Sequence, residues 1–213
     1  MPEDEEQSVE ARAIVVEASD SHVVVIRLNR PAERNSLSVA TLEELARLVS
    51  ALVARTDLST IIFTGTKDAF ASGANIRELS ALTTKTAREF ARRGQSLMQK
   101  IADAPQLTIA AVNGYCMGGG LDLALACRLR CAASAAVFAH PGARLGIITG
   151  WGGTQRLPRL IGQARALDMF TTARRVTAEE AYEIGLVNRV GDPVLECALE
   201  LARAAGMEAE RAG

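Results

Sequence analysis

A chain of 213 residues, 48% hydrophobic and 23% charged, is long enough to bury a substantial core and points to one soluble globular domain. A net charge of −1 gives no basic field for nucleic acid or an acidic membrane surface, so an anionic ligand must be held locally, by helix N-termini or single arginines. No apolar run approaches the ~18 residues of a membrane span, and the acidic start of the chain lacks the basic and apolar regions of a secretory signal.

Residues 1–12 read as a solvated, disordered acidic tail ahead of a single domain over 13–213. Two β-branched runs, 13–17 and 23–28, flank the polar stretch 18–22 and predict a hairpin. Pro31 ends the second strand, and a polar turn leads into a helix carrying Leu42, Leu45, Val49 and Leu52, with Thr41 and Glu44 spaced as a capping box. A short apolar strand over 60–64 follows, then a loop over 70–78 and a helix through Ala87, Phe90, Leu97 and Ile101. A strand over 107–112 enters a glycine-rich turn and a helix over 121–128. Strands over 129–132 and 136–139 precede a helical stretch over 157–172. Thr177 and Glu180 make a second capping box, Gly185 suits a helix C-cap, and a strand over 186–190 and a helix over 194–205 complete the series. Alternating strands and helices imply an α/β fold.

Cys116, Cys127, Cys131 and Cys197 form no disulfide framework. Cys127 and Cys131 are four apart on an expected helix without a second ligand pair, so no metal site is expected and the thiols read as free, in a reducing cytoplasm.

The densest glycine segment, Asn113-Gly114-Tyr115-Cys116-Met117-Gly118-Gly119-Gly120-Leu121-Asp122, joins a buried strand to a helix. Such a junction gathers bare N–H groups and the positive end of a helix dipole, which suits a negative charge. It is neither a phosphate loop, since Leu121 and Asp122 stand where Lys and Ser or Thr would be needed, nor a G-x-G-x-x-G dinucleotide turn, and the chain has no G-x-S-x-G nucleophile elbow. A second small-residue segment, Phe70-Ala71-Ser72-Gly73-Ala74-Asn75-Ile76-Arg77-Glu78, also follows a buried strand.

Together these segments resemble the crotonase (enoyl-CoA hydratase/isomerase) superfamily. Phe70 to Glu78 is similar to F-x-A-G-A-D-I-K-E, and Ala111-Val112-Asn113-Gly114 through Gly118-Gly119-Gly120 to A-V-N-G-x-x-x-G-G-G. Leu145-Gly146-Ile147 with Gly150-Trp151-Gly152-Gly153-Thr154-Gln155-Arg156-Leu157 is similar to L-G-I-x-P-G-x-G-G-T-Q-R-L; Leu28-Asn29-Arg30-Pro31 with Asn35, and Ala181 through Gly185-Leu186-Val187, also fit. The resemblance implies a crotonase-like superhelix of ββα units that binds an acyl-CoA thioester, with CoA part of the substrate and no separate cofactor. It implies an oxyanion hole from the N–H groups of Ala74 and Gly119. Arg34, Ala71, Ser72, Gly73, Asn75, Ile76 and Arg77 would line the CoA path, and Gly118, Pro141 and Gly142 would also bind the substrate. It further implies a homotrimer or hexamer in the cytoplasm, active in fatty acid metabolism, and C-terminal helices beyond the length of this chain to cover the pocket.

Family hydratases use two glutamates. The first position is Asp122 here, one methylene shorter; the second, in F-x-x-P-E, is Gly142 within Phe138-Ala139-His140-Pro141-Gly142. Asp122 is therefore the candidate acid/base, unless it only complements its helix dipole. Some relatives with glycine at the second position hold bicarbonate there. His140 beside the vacancy is either a further proton carrier or a hydrogen-bonded strand-end histidine, and Cys116 could pair with it. Asn75 replaces an aspartate, Thr149 replaces a proline, and Trp151 reads as a packing anchor. The reading is a hydratase/isomerase-type thioester enzyme; a lyase, a hydrolase or a non-catalytic acyl-CoA binder stays open because of Gly142.

Overall fold

The computed structural model describes residues 12–20 and 22–212, so the acidic segment up to residue 11 lies outside the described residues. The hairpin forms from β1 (Ile14–Asp20) and β2 (Val23–Leu28), paired antiparallel. Strands β3 (Thr60–Thr64), β5 (Leu107–Val112), β7 (Leu129–Ala132) and β10 (Arg189–Val190) then add in parallel, giving a six-stranded sheet in the order β1-β2-β3-β5-β7-β10. A second sheet, β4-β6-β8-β9, is made of β4 (Ala69–Ala71), β6 (Tyr115–Met117), β8 (Val137–Ala139) and β9 (Val176–Thr177).

The chain repeats one move: a strand in the first sheet, a short strand in the second, then a helix. β3 and β4 lead to α2 (Ile76–Ser80) and α3 (Thr84–Ala102). β5 and β6 lead to α4 (Gly119–Ala126), while β7 and β8 lead through a 3-10 turn (Pro141–Leu145) to α5 (Gly153–Ile161) and α6 (Gln163–Thr172). This is the expected series of ββα units. Its main core lies between the two sheets and the helices, around Ile26, Phe63, Phe70, Leu97 and Phe138. The other face of the large sheet is covered by α8 (Val194–Ala212), where Ala198 and Leu199 pack with Val25, Ile62 and Ile109.

Several local readings are corrected. Helix α1 (Val39–Val53) starts earlier than its apolar period suggests: its cap is Ser38, whose Oγ accepts from the Thr41 N–H at 3.2 Å, so Thr41 and Glu44 are not a capping box. The helical stretch over 157–172 is two helices, broken at Gly162 with φ 86°. Cys127 closes α4 and Cys131 lies in β7, so the pair does not share a helix. Thr177 Oγ1 accepts from the Glu180 N–H ahead of α7 (Ala178–Glu183), but the Glu180 carboxylate pairs with Arg174 at 2.7 Å, so a cap forms rather than the expected reciprocal box, and Gly185 takes φ 78° just past it. The expected strand over 186–190 shrinks to β10 because Leu186 and Val187 fold back onto the Ala181 carbonyl.

Candidate active site

The repeating unit delivers its two glycine-rich junctions to one place, and the glycines are required there by contact. A Cβ on Gly73, which has φ +99°, would lie 2.8 Å from the Met117 carbonyl oxygen and 3.1 Å from the Gly119 nitrogen. A Cβ on Gly120 would lie 2.3 Å from the Ala71 carbonyl oxygen. Only bare backbone lets the turn after β4 and the start of α4 approach this closely. Gly119 is the first residue of α4, so its N–H has no acceptor within the helix. Ala74 forms an isolated parallel bridge with Leu37, through a hydrogen bond from the Leu37 N–H to the Gly73 carbonyl at 2.8 Å.

The motif asparagines staple these loops. Asn35 donates to the Ala69 and Phe70 carbonyls and accepts from the Arg30 N–H, while Asn113 accepts from the Gly65 N–H and donates to the Lys67 carbonyl. Asn75 caps α2, accepting from the Arg77 and Glu78 N–H groups, which an aspartate could equally do. Trp151 is the wedge behind the α4 start. Its indole lies in the space that a Cβ on Gly119 or Gly94 would need, 2.2 Å away in both cases, with Phe90 at 5.4 Å between ring centres.

The junctions open onto a cavity of about 270 Å³ with mainly apolar walls, including Leu82, Phe90 and Ile148. Of the residues singled out from the sequence, Ser72, Gly73, Ala74, Ile76, Gly118, Gly119, Asp122, Pro141 and Gly142 line it. Four do not. Ala71 is buried within β4 behind the lining. Asn75 serves its cap. Arg77 is exposed on α2. Arg34 is exposed on the neighbouring turn, 3.5 Å from Asp68 and 5.0 Å above the Tyr115 ring, and its carbonyl accepts from the Ser72 N–H.

Asp122 and His140 occupy the depth of the site, 1% and 2% exposed. Burial pushes the Asp122 carboxyl up to about 6, against the pull of the Thr149 hydroxyl, the Trp151 and Gly153 amides at the start of α5, and the more distant Arg156. Burial alone pushes the His140 imidazole down to about 4. Thr149 Oγ1 donates to Asp122 Oδ2, so the residue standing where the family motif has proline holds the candidate carboxylate. Gly153 makes room for both side chains: a Cβ there would lie 2.2 Å from Asp122 Oδ1 and 3.0 Å from His140 Nε2.

Thr149 was noted in the sequence only as a replacement for proline and Gly153 only as part of a motif; their contacts with Asp122 had no signal beyond a hydroxyl inside an otherwise matching motif. Gly142 lines the cavity, but the direction that a side chain would take is filled: the Ile147 carbonyl oxygen would lie 2.6 Å from a Cβ at that position. Cys116 is buried in β6, is absent from the cavity lining, and has its thiol pushed well above the usual range by burial and by Asp122, which opposes a thiolate nucleophile.

A two-sheet ββα superhelix with two glycine-rich junctions and a buried carboxylate on one apolar cavity defines the class of protein. The enoyl-CoA hydratase/isomerase family model matches residues 18–209, and the chain belongs to that family. Its sequence is 41% identical over 180 residues to the crotonyl-CoA hydratase of Syntrophomonas wolfei, covering 84% of this chain and 69% of that one. It is 36% identical over 191 residues to the short-chain-enoyl-CoA hydratase of Clostridium acetobutylicum, covering 88% and 73%. The crystal structure of enoyl-CoA hydratase from Bacillus anthracis superposes with a TM-score of 0.87 at 40% identity, covering 91% of this chain and 76% of that one.

Proposed function

We propose that this chain hydrates an enoyl-CoA thioester, with the thioester oxygen held by the N–H groups of Ala74 and Gly119 and Asp122 as the single acid/base. The observation that carries the reading is the approach of the two junctions across Gly73, facing a buried carboxylate in the same cavity. In the addition step, the Asp122 carboxylate takes a proton from water while the water oxygen bonds to Cβ. The π electrons move onto the thioester oxygen, where two fixed N–H donors stabilise the enolate without reorganising. Collapse of the enolate then takes the proton from Asp122 onto Cα, giving the 3-hydroxyacyl thioester and restoring the carboxylate. A carboxyl at about 6 suits both halves near neutral pH: it is largely ionised yet readily reprotonated.

The same reading puts the CoA moiety along Ser72, Gly73 and the Arg34 turn, with Arg77 outside the cavity as a further cation, and requires no separate cofactor. The cavity rim exposes Ile76, Leu145 and Ile148 at 63%, 52% and 63%, an apolar edge suited to cover by neighbouring subunits in a homotrimer or hexamer. Among the described residues no helix is long and apolar enough to cross a membrane; the placement of the enzyme in the cytoplasm and in fatty acid metabolism rests on the family resemblance.

The test is loss of enoyl thioester absorbance with crotonyl-CoA, for the wild type and Asp122→Asn. We expect wild-type hydration and a fall of about 10²–10⁴-fold in kcat with KM little changed. Undiminished turnover in Asp122→Asn would overturn the role of Asp122. Tight crotonyl-CoA binding without turnover by the wild type would favour the non-catalytic binder that Gly142 leaves open.

A further inference from the structure

Four buried side-chain nitrogen or oxygen atoms among the described residues make no hydrogen bond, and three of them meet in one place: Asp122 Oδ1, His140 Nδ1 and His140 Nε2. Nε2 lies 3.7 Å from Oδ1, beyond hydrogen-bond length. Buried polar atoms are normally satisfied, and a cluster of orphans beside a cavity calls for an explanation. Each partner is restrained on its far side. Asp122 Oδ2 accepts from Thr149 Oγ1, and the His140 ring packs 5.0 Å from the Phe170 ring. Nothing stands between them, because Gly153 supplies no side chain. Thr149, Asp122 and His140 all line the cavity, so a group entering it bears on the residue that restrains Oδ2.

We propose that Asp122 and His140 close into a direct hydrogen bond when the cavity is occupied, Nε2–H donating to Oδ1, which makes His140 the positioning residue for the Asp122 carboxylate. The inference rests on the reading of Asp122 as the acid/base. Closure satisfies two of the three orphans at once, and an occupant that excludes water strengthens the bond. It also fixes the tautomer, with the proton on Nε2. A donor to the ionised form holds a carboxyl lower, so the occupied enzyme keeps Asp122 ionised to lower pH than the free enzyme does. Besides the Thr149 hydroxyl and the Trp151 and Gly153 amides, which already act on Asp122, the surrounding groups are Cys116 on β6, which feels the Asp122 charge, Arg156 on α5, and the apolar Phe170 on α6.

The test compares the acid limbs of kcat/KM and kcat, which report the free and the occupied enzyme, in the wild type, His140→Gln and His140→Phe. We expect the wild-type kcat limb about one pH unit below that of kcat/KM. His140→Gln, whose amide can donate, should retain the gap. His140→Phe, which keeps a ring against Phe170, should lose it. Variants that lower kcat without changing the gap would reduce His140 to a packing residue and overturn the proposal. Nitrogen-15 NMR of the histidines with saturated butyryl-CoA bound gives a readout free of turnover, and His22 is the only other histidine to assign. Protonated Nε2 with unprotonated Nδ1 is expected, and the reverse tautomer would overturn closure. If crotonyl-CoA is not hydrated but the butyryl-CoA complex shows the expected tautomer, the hydratase reading fails and the pairing stands; failure of butyryl-CoA to bind would end both.

Discussion

The two walls of the cavity are built on different principles. One wall, the turn after β4 and the start of α4, consists of backbone held by contacts too close for any Cβ: Gly73 on Met117 and Gly119, Gly120 on Ala71, and Gly119 on Trp151. The other, from His140 to Ile148 with Asp122 facing it, presents side chains that are partly unsatisfied or exposed: Asp122 Oδ1 and both His140 ring nitrogens lack partners, and Ile147 and Ile148 are 48% and 63% exposed. Electrostatic recognition of a thioester oxygen needs only fixed N–H groups, and a packed backbone supplies them with little tolerance for change. Proton handling needs side chains with adjustable environments, and there the chain departs from its family pattern at Gly142 and Thr149. The rigid backbone wall follows the family motifs closely, with Asn75 its one noted departure, whereas Gly142 and Thr149 fall where function is carried by side chains rather than by the fold.

The sharpest way to break that contrast is Gly119→Ala. The new methyl would lie 2.2 Å from the Trp151 ring, so the start of α4 or the indole must move, and with it the Gly119 N–H. Removal of one oxyanion donor costs about 10²–10³-fold in rate, and a loss of that size is expected in kcat/KM for crotonyl-CoA hydration. Circular dichroism would check that the helices persist. A variant that is folded and within about tenfold of wild type would mean that the donor lies elsewhere.

The rigid wall was largely legible in the sequence and the adjustable wall was not, for a physical reason. Glycines at strand–helix junctions and the loop-stapling Asn35 and Asn113 are required by backbone geometry, which leaves ordered local motifs. Strands such as Thr60–Thr64 and Leu107–Val112 were equally readable, because continuous β-branched and apolar runs suit burial on both faces. The partnership of Thr149 with Asp122 spans 27 residues and uses a hydroxyl with no local periodicity. The Ile147 carbonyl beside Gly142 carries no side-chain signal at all. Arg34 and Arg77 were singled out by the resemblance for the CoA path, and the turn and α2 leave both exposed outside the cavity.

The second way to sharpen the comparison uses pH. Asp122 titrates near 6 in the folded protein against an ordinary 3.8, so over that window the folded state holds a proton that the unfolded chain has released, and stability falls as pH rises. His140 titrates near 4 against an ordinary 6.5, so over its window the unfolded chain holds the extra proton, and stability rises with pH. The two slopes oppose each other and largely cancel between about 4 and 6. Each substitution removes one of them. Relative to wild type, Asp122→Asn should gain up to about 3 kcal/mol between pH 4 and 6, and His140→Phe should lose a similar amount over the same range. Urea denaturation at a series of pH values would read both, and parallel curves for all three proteins would mean that the pair is not desolvated.

The smallest expected effect tests whether the adjustable wall can simply be restored to the two-carboxylate pattern. In Gly142→Glu the added Cβ would meet the Ile147 carbonyl oxygen at 2.6 Å, and the Ile147 N–H already donates to the Gly142 carbonyl at 3.0 Å. Backbone is a poor neighbour to displace, so the cost should resemble other cases of overpacking, about 1–3 kcal/mol of stability. The new carboxylate would also enter a site where Asp122 is already hard to ionise, and a second negative charge there raises both groups further. Hydration of crotonyl-CoA by Gly142→Glu should therefore stay at or below the wild-type rate. A clear gain would show that the residue 140–151 wall shifts enough to accept a second glutamate, and that Asp122 was working without a partner it could use. No gain, with the melting midpoint lowered, would mean that the glycine belongs to a wall refitted around Asp122, Thr149 and His140.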